Sequence, residues 1–304
     1  MLGQTKFATD GEICDKVEIA IKRLKAFEPP EGYFLAFSGG KDSQCVYHLA
    51  KMAGVKFDAH YNITSVDPPE LVQFIKKKYP DVKREHQLNA DGDPITMWNL
   101  IPVERMPPTR IARYCCLVLK ETSGQGRYTL TGVRRAESSN RKRNQGVITV
   151  PKADDGLREE LENLGANFTQ TPKGGVVLNY DDSTGRRMTE NCIRTGKVII
   201  NPIIDWEEED VWEFLNMNGI EHCCLYDEGL TRLGCIGCPM KNSKGQKKDF
   251  ERWPKYRTMY LKAFQRMIDS RKERGLNTEQ WDTPEAVMRW WLGEKEVSKS
   301  FLNG

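Results

Sequence analysis

The sequence predicts an α/β fold built on a parallel sheet, and three observations predict it. Strand-like and helix-like segments alternate through the first eighty residues. A short apolar run, Tyr33-Phe34-Leu35-Ala36-Phe37, ends abruptly in Ser38-Gly39-Gly40, and a helix-compatible segment from Lys41 to Ala53 follows. A further strand, Tyr128 to Gly132, runs straight into a second glycine-led turn, Gly132-Val133-Arg134-Arg135. In such sheets a ligand sits beyond the carboxyl ends of the strands, where both turns fall.

In chain order, residues 11–27 read as an amphipathic helix with Ile13, Val17, Ile19, Ala20 and Leu24 near one face. Pro29-Pro30 breaks it before the strand at Tyr33. Val55–Asn62 reads as the second strand, and residues 68–78 as a helix with proline in its first turn. Residues 94–106 read as a helix broken by Pro102. Residues 139–200 are irregular, and Val176-Val177-Leu178-Asn179-Tyr180 and Lys197-Val198-Ile199-Ile200-Asn201 suggest a hairpin or insertion. Residues 205–217 carry a helix start, with Asp205 as N-cap and acidic residues in the first turn. Residues 249–274 read as one long amphipathic helix through Tyr256, Met259, Tyr260, Phe264 and Met267, and 284–292 as a short one. The organisation expected is a helical segment over 1–30, a nucleotide-binding domain over 31–240 with its insertion near 139–200, and a helical segment over 241–304.

Charged residues make up 29% of the 304, and the net charge is +3, too small by itself to indicate a nucleic-acid partner. No stretch approaches the length of a membrane span. The first residues lack a basic segment followed by an apolar core, so no signal peptide is expected and the location expected is cytoplasmic. Nine cysteines then point to metal or redox chemistry before disulfides.

The Ser38–Ser43 turn aims helix N-terminal amides and the positive end of a helix dipole at one point, where an anion can sit. Gly39 and Gly40 permit close backbone approach; Lys41 adds a cation; Ser38 and Ser43 add hydroxyls. The spacing is not that of a Walker A loop. Among the cysteines, Cys235-Ile236-Gly237-Cys238 lies between glycines and can point two thiolates at one metal, and Cys115-Cys116 can supply two more. Four thiolates suit zinc or an iron–sulfur cluster, and spacing does not choose between them. A redox dithiol beside a buried Cys-Cys pair is the other reading. Cys192, Cys223 and Cys224 could replace one ligand; Cys14 and Cys45 read as packing.

The Ser-Gly-Gly-Lys-Asp-Ser run resembles the PP-loop of the ATP pyrophosphatase and phosphoadenosine-phosphosulfate (PAPS) reductase family, over roughly residues 30–240. The resemblance implies a Rossmann-like, adenine-nucleotide alpha hydrolase-like core with flanking helices. It implies phosphate or nucleotide contacts at Ser38, Gly39, Gly40, Lys41, Asp42, Ser43 and Gly132, and adenosine recognition near Asn62 and Thr64. It implies catalytic roles for Lys41, Asp42, Arg134 and Arg135. Cys115, Cys116, Cys235 and Cys238 match the 4Fe–4S ligands of its adenylylsulfate reductase and DNA-phosphorothioation branches. Reductases of the family attack the sulfonate with a cysteine near the C-terminus, whereas this sequence has none after Cys238. The expectation is therefore ATP with Mg²⁺, attack on the α-phosphate, and activation of a substrate by adenylylation for sulfur transfer. A sulfur-donor protein such as a cysteine desulfurase, nucleic acid and a second copy of the chain are the partners considered. Reduction of an adenylyl sulfate to sulfite is the alternative enzyme. A non-catalytic nucleotide- and redox-sensing module that binds nucleic acid through Arg134, Arg135, Arg141, Lys142 and Arg143 is the alternative of another class.

Overall fold

The computed structural model describes residues 6–9, 12–181 and 197–294. Its main sheet has eight strands in the order β5-β4-β3-β6-β10-β7-β9-β8. In chain order the first five strands are β1 (Lys6–Thr9), β2 (Glu12–Asp15), β3 (Tyr33–Ala36), β4 (Phe57–Asn62) and β5 (Lys83–Glu85). The others are β6 (Tyr128–Leu130), β7 (Ile148–Val150), β8 (Phe168–Gln170), β9 (Val176–Leu178) and β10 (Val198–Ile200). The core β4-β3-β6-β10 is parallel, with Leu35 opposite Ala59 and Leu130, and Ile200 opposite Leu130. Of these, β3 and β10 are continuous apolar runs, as strands covered on both faces tend to be, whereas β4 carries Asp58, His60 and Asn62 and β6 carries Thr129. From β10 the sheet continues antiparallel through β7, β9 and β8.

The segment expected to be an insertion therefore extends the main sheet. Its last strand, β10, is a member of the parallel core, and the hairpin is β8–β9 alone. The helix expected over residues 11–27 begins only at Lys16: α1 is Lys16–Ala26, capped by Asp15, whose side chain accepts from the Val17 N–H at 2.8 Å. Residues 12–15 instead pair with β1. Val17, Ala20 and Leu24 are buried as predicted.

The chain forms two compact units. One comprises residues 1–61, 70–84 and 123–232; the other comprises 62–69, 85–122 and 233–304. The first carries the main sheet with α2 (Lys41–Ala53), α3 (Pro69–Lys78), α6 (Ser139–Asn144), α7 (Asp155–Asn163) and α8 (Glu208–Met217). Asp205 does not cap α8. It receives both terminal nitrogens of the buried Arg23, at 2.9 and 2.8 Å, and the helix starts three residues later, with the Glu207 N–H donating to Asp210.

A cavity of about 610 Å³ in this unit is lined by Tyr47, His48, Lys51, Tyr79 and Asp81, among others. The Gln44 amide donates to Tyr79 Oη at 2.7 Å, and Tyr79 lies 3.1 Å from His48 Nε2. Burial, then the nearby Lys51, push the His48 pKa down to about 4. The neutral imidazole is the form the fold prefers, so its contribution to stability is present above the unfolded value near 6.5 and is lost as pH falls towards 4. Melting temperature measured between pH 7 and 5 is expected to fall less steeply in His48→Gln than in the parent.

The second unit holds α4 (Met97–Glu104), α5 (Tyr114–Cys116), α9 (Ser243–Arg252), α10 (Pro254–Glu273) and α11 (Pro284–Trp291). Pro102 lies inside α4 rather than breaking it. A proline has no N–H for the carbonyl four residues back. That carbonyl, on Trp98, accepts from Arg266 at 2.6 Å instead. The long helix expected over 249–274 is two helices, divided at Trp253-Pro254, where Pro254 opens α10.

Candidate functional site

Strand β3 is wholly apolar and delivers the chain to the turn at Ser38. Gly39 adopts φ +72°, and a Cβ there would stand 2.7 Å from Ile75 Cδ1 and 2.8 Å from Leu71 Cδ1. Only glycine meets both demands. Ser38 and Ser43 close the turn: their hydroxyls lie 3.1 Å apart, and the Ser43 hydroxyl donates to the Gly40 carbonyl at 2.8 Å. Gly40 is the N-cap of α2, so the first amides of the helix have no intrahelical acceptor and point past the end of the sheet.

The charges around this turn are fixed. Lys41 is 3% exposed, and its Nζ donates to the Thr231 carbonyl at 3.0 Å and stands 3.3 Å from Glu208 Oε1. Arg134 is 2% exposed and binds Asp42 through Nε at 2.6 Å and Glu208 through Nη2 at 2.7 Å. Burial raises the Glu208 pKa, but Arg134 and Lys41 overcome it and hold the carboxyl below its ordinary value. Gly132 makes this pairing possible by close packing: a Cβ would stand 2.7 Å from the Asp42 carbonyl carbon and 2.8 Å from its oxygen. The Tyr226 hydroxyl accepts from the Lys41 N–H at 2.9 Å, and Lys41 Nζ lies 5.5 Å from the centroid of its ring.

Ser38, Gly39, Gly40, Lys41, Asp42, Ser43, Gly132 and Arg134 thus form one group. Arg135 faces elsewhere and donates to Asn179 Oδ1 at 2.6 Å. Sequence reasoning missed Glu208 and Tyr226 as members of the group. The sequence marks Glu208 only as helix-start charge, and no local spacing ties Tyr226 to the turn.

The cysteine pairs belong to the second unit. Cys115 and Cys116 sit in α5 at the entrance to a π-helical turn, Leu117–Glu121, a form that recurs at functional sites. The Cys115 thiol is pushed up by its hydrogen bond to Cys116, by burial, and by the charges of Cys116, Cys235 and Cys238. Cys116 is pushed down to about 5, first by the hydrogen bond from Cys115 and then by Arg113. Burial raises Cys235 to about 12 despite Lys120, and its thiol donates to Asp67 Oδ1 at 3.6 Å. Four thiols within reach of one another's fields are the donor set of a soft metal centre, and in chemistry they fit one. Among the described residues no group of three or more His, Cys, Asp or Glu side chains stands at metal-binding distance.

Thr64, expected at the adenosine, is in this second unit and donates to Asp67 Oδ2 at 2.7 Å. Asn62 donates to the Lys120 carbonyl at 3.2 Å and accepts from Gln87. Cys45 is buried, as its reading as packing required. Cys223 is buried and Cys224 exposed. Cys192 and the Cys14 side chain lie outside the described residues. No helix among the described residues is long and apolar enough to cross a membrane.

The sequence pattern of the phosphoadenosine phosphosulfate reductase domain family matches residues 32–241. An uncharacterized protein of Methanocaldococcus jannaschii is 26% identical over 84% of this chain, which covers 50% of that protein. An adenosine 5'-phosphosulfate reductase of Neisseria meningitidis serogroup B is 32% identical over 40% of this chain and 40% of its own length. The chain thus spans half or less of these relatives' length. The solved structure of PAPS reductase from Candida auris in complex with phosphate overlays 77% of this chain and 98% of its own, at 11% identity and a TM-score of 0.40.

Proposed function

Because this chain belongs to the phosphoadenosine phosphosulfate reductase domain family, we propose that its Ser38–Ser43 turn holds the phosphates of ATP. The reaction proposed is pyrophosphate-releasing adenylylation, which activates an acceptor for sulfur transfer. The observation that carries this reading is the concentration of polar groups at one turn: the first-turn α2 amides beyond Lys41, whose own N–H goes to Tyr226, two hydroxyls and the anchored cation of Lys41. An acceptor oxygen attacks the α-phosphorus, and the bond from that phosphorus to the β-bridging oxygen breaks. Pyrophosphate leaves with the electron pair. A sulfur nucleophile then displaces AMP from the acceptor. The amides of Gly40–Ser43 and Lys41 stabilise the charge that builds on the departing phosphates. Asp42, engaged by Arg134, organises the loop. Mg²⁺ accompanying the nucleotide would supply further charge neutralisation. A cluster held by Cys115, Cys116, Cys235 and Cys238 would supply sulfur-ligated redox chemistry in the second unit, with zinc the alternative occupant.

Reduction of an adenylyl sulfate requires an activated thiolate at the sulfonate. In the unit that carries the turn, Cys45 and Cys223 are buried, and burial pushes both thiols up, Cys223 to about 11. Among the described residues of that unit, exposed Cys224 keeps the reductase reading open. The test is release of labelled pyrophosphate from ATP by anaerobically purified, metal-replete protein, across candidate acceptors. Absence of both release and pyrophosphate–ATP exchange would sink the ATP reading. Sulfite formed from adenylyl sulfate with a dithiol reductant, and lost in Cys224→Ser, would replace it. Iron and acid-labile sulfide in equal amounts support the cluster; stoichiometric zinc without sulfide overturns it.

A further inference from the structure

The positive charge of this protein is concentrated in one stretch of the second unit. Residues 241–274 hold twelve lysines and arginines against four carboxylates, while the remaining 270 residues hold 34 against 39. The chain outside α9 and α10 is therefore net acidic, and these two helices carry the whole positive excess.

The fold turns that charge outward. On α9, Gln246, Asp249 and Phe250 are buried, and on α10, Tyr260, Ala263, Phe264, Met267 and Ile268 are buried. Asp249 is spent internally, on Lys241 at 2.7 Å and the Gly237 N–H at 2.9 Å, so it subtracts nothing from the outer face. Lys247 pairs with Glu294 at 2.8 Å. Lys244, Lys248 and Arg252 follow one another at four-residue steps on the exposed side of α9. Lys255, Lys262 and Arg266 share the exposed side of α10. Among the described residues no carboxylate pairs with Lys244, Lys248, Lys255 or Lys262.

We propose that this outward face of α9 and α10 is a docking surface for the phosphate backbone of duplex nucleic acid. Four-residue steps on a helix advance about 6 Å, close to two axial rises of about 3.4 Å per phosphate on one strand of a duplex. A membrane surface is the poorer partner. Helices that lie on bilayers present a large apolar face for insertion, whereas the apolar faces of α9 and α10 are buried against their own unit. The contacts are to phosphate, so binding depends on salt and little on sequence. This surface stands on different residues from the Ser38–Ser43 turn and does not depend on the reaction proposed there.

The experiment is fluorescence anisotropy with the full chain and a labelled 20-base-pair duplex of arbitrary sequence, titrated from 50 to 200 mM salt. Wild type is expected to bind with a steep negative slope of log K against log salt. The quadruple variant K244Q/K248Q/K255Q/K262Q is expected to lose at least tenfold in affinity at 50 mM salt and to flatten the slope by about 3–4. The two double variants, one per helix, should each lose part of it with unchanged circular dichroism. K142A/R143A, which alters the basic run on α6, should bind as wild type. No duplex binding by wild type overturns the proposal, as does a quadruple variant that binds normally. Loss of binding in K142A/R143A, or binding confined to phosphatidylserine vesicles, overturns it equally.

Discussion

Replacing Arg134 with methionine is expected to cost about 3 kcal/mol and to lower the melting temperature by roughly 6 °C or more. The guanidinium is buried and ties Asp42, on α2, to Glu208, on α8. Methionine fills similar volume but leaves two carboxylates facing one another with only Lys41 between them. Glu208 is half-exposed, so water relieves part of the penalty and places the cost at the lower end of the range for a broken buried pair. Arg134→Lys should recover only part, because an ammonium cannot bridge both carboxylates as a fork does. The distinguishing measurement is a double-mutant cycle with Glu208→Gln. If the two substitutions are additive in chemical denaturation, the pair is not coupled and this account of Arg134 fails.

Gly132→Ala is expected to cost about 1–3 kcal/mol and to lose nucleotide binding beyond what the stability change explains. The added carbon would meet the Asp42 backbone carbon at 2.7 Å. Backbone at the first turn of a packed helix cannot step aside as a flexible side chain can. The start of α2 must shift, and with it the amides of Asp42 and Ser43 and the Asp42–Arg134 contact. Gly156→Ala provides the contrast. Gly156 lies in α7 with nothing nearer its added carbon than Asp154 Oδ1 at 3.8 Å, and the change should stabilise by about 0.5–1 kcal/mol. ATP affinity by calorimetry and urea midpoints on both variants test the pair. An unaltered affinity in Gly132→Ala would show that the second turn does not position the first.

The misreadings of the chain have separate physical origins. The break at Pro254 was written in the sequence, but the apolar periodicity on either side of it continues in phase and hid it. Pro102 misled in the opposite direction: its missing N–H is compensated by Arg266, 164 residues further on, which no local reading supplies. Asp205 looks like an N-cap because an acid before a helical run is the usual one. Arg23 competes for it and wins with a two-pronged ion pair.

By itself the sequence determined the α/β class, the strand–turn–helix at Ser38–Ser43, the glycine at the second turn and the two cysteine pairs. The turn rests on short-range backbone demands, a left-handed residue at Gly39 and a helix N-terminus at Lys41, whereas the lack of room at Gly132 is set by Asp42 on α2. Tertiary structure alone decided that β10 joins the parallel core, that Glu208 and Tyr226 complete the loop's surroundings, and that Arg134 is a buried tie between two helices. Those choices depend on which distant charge reaches a buried group first and on which strand finds a free sheet edge. Both are settled by packing across tens to hundreds of residues, and local spacing carries no record of them.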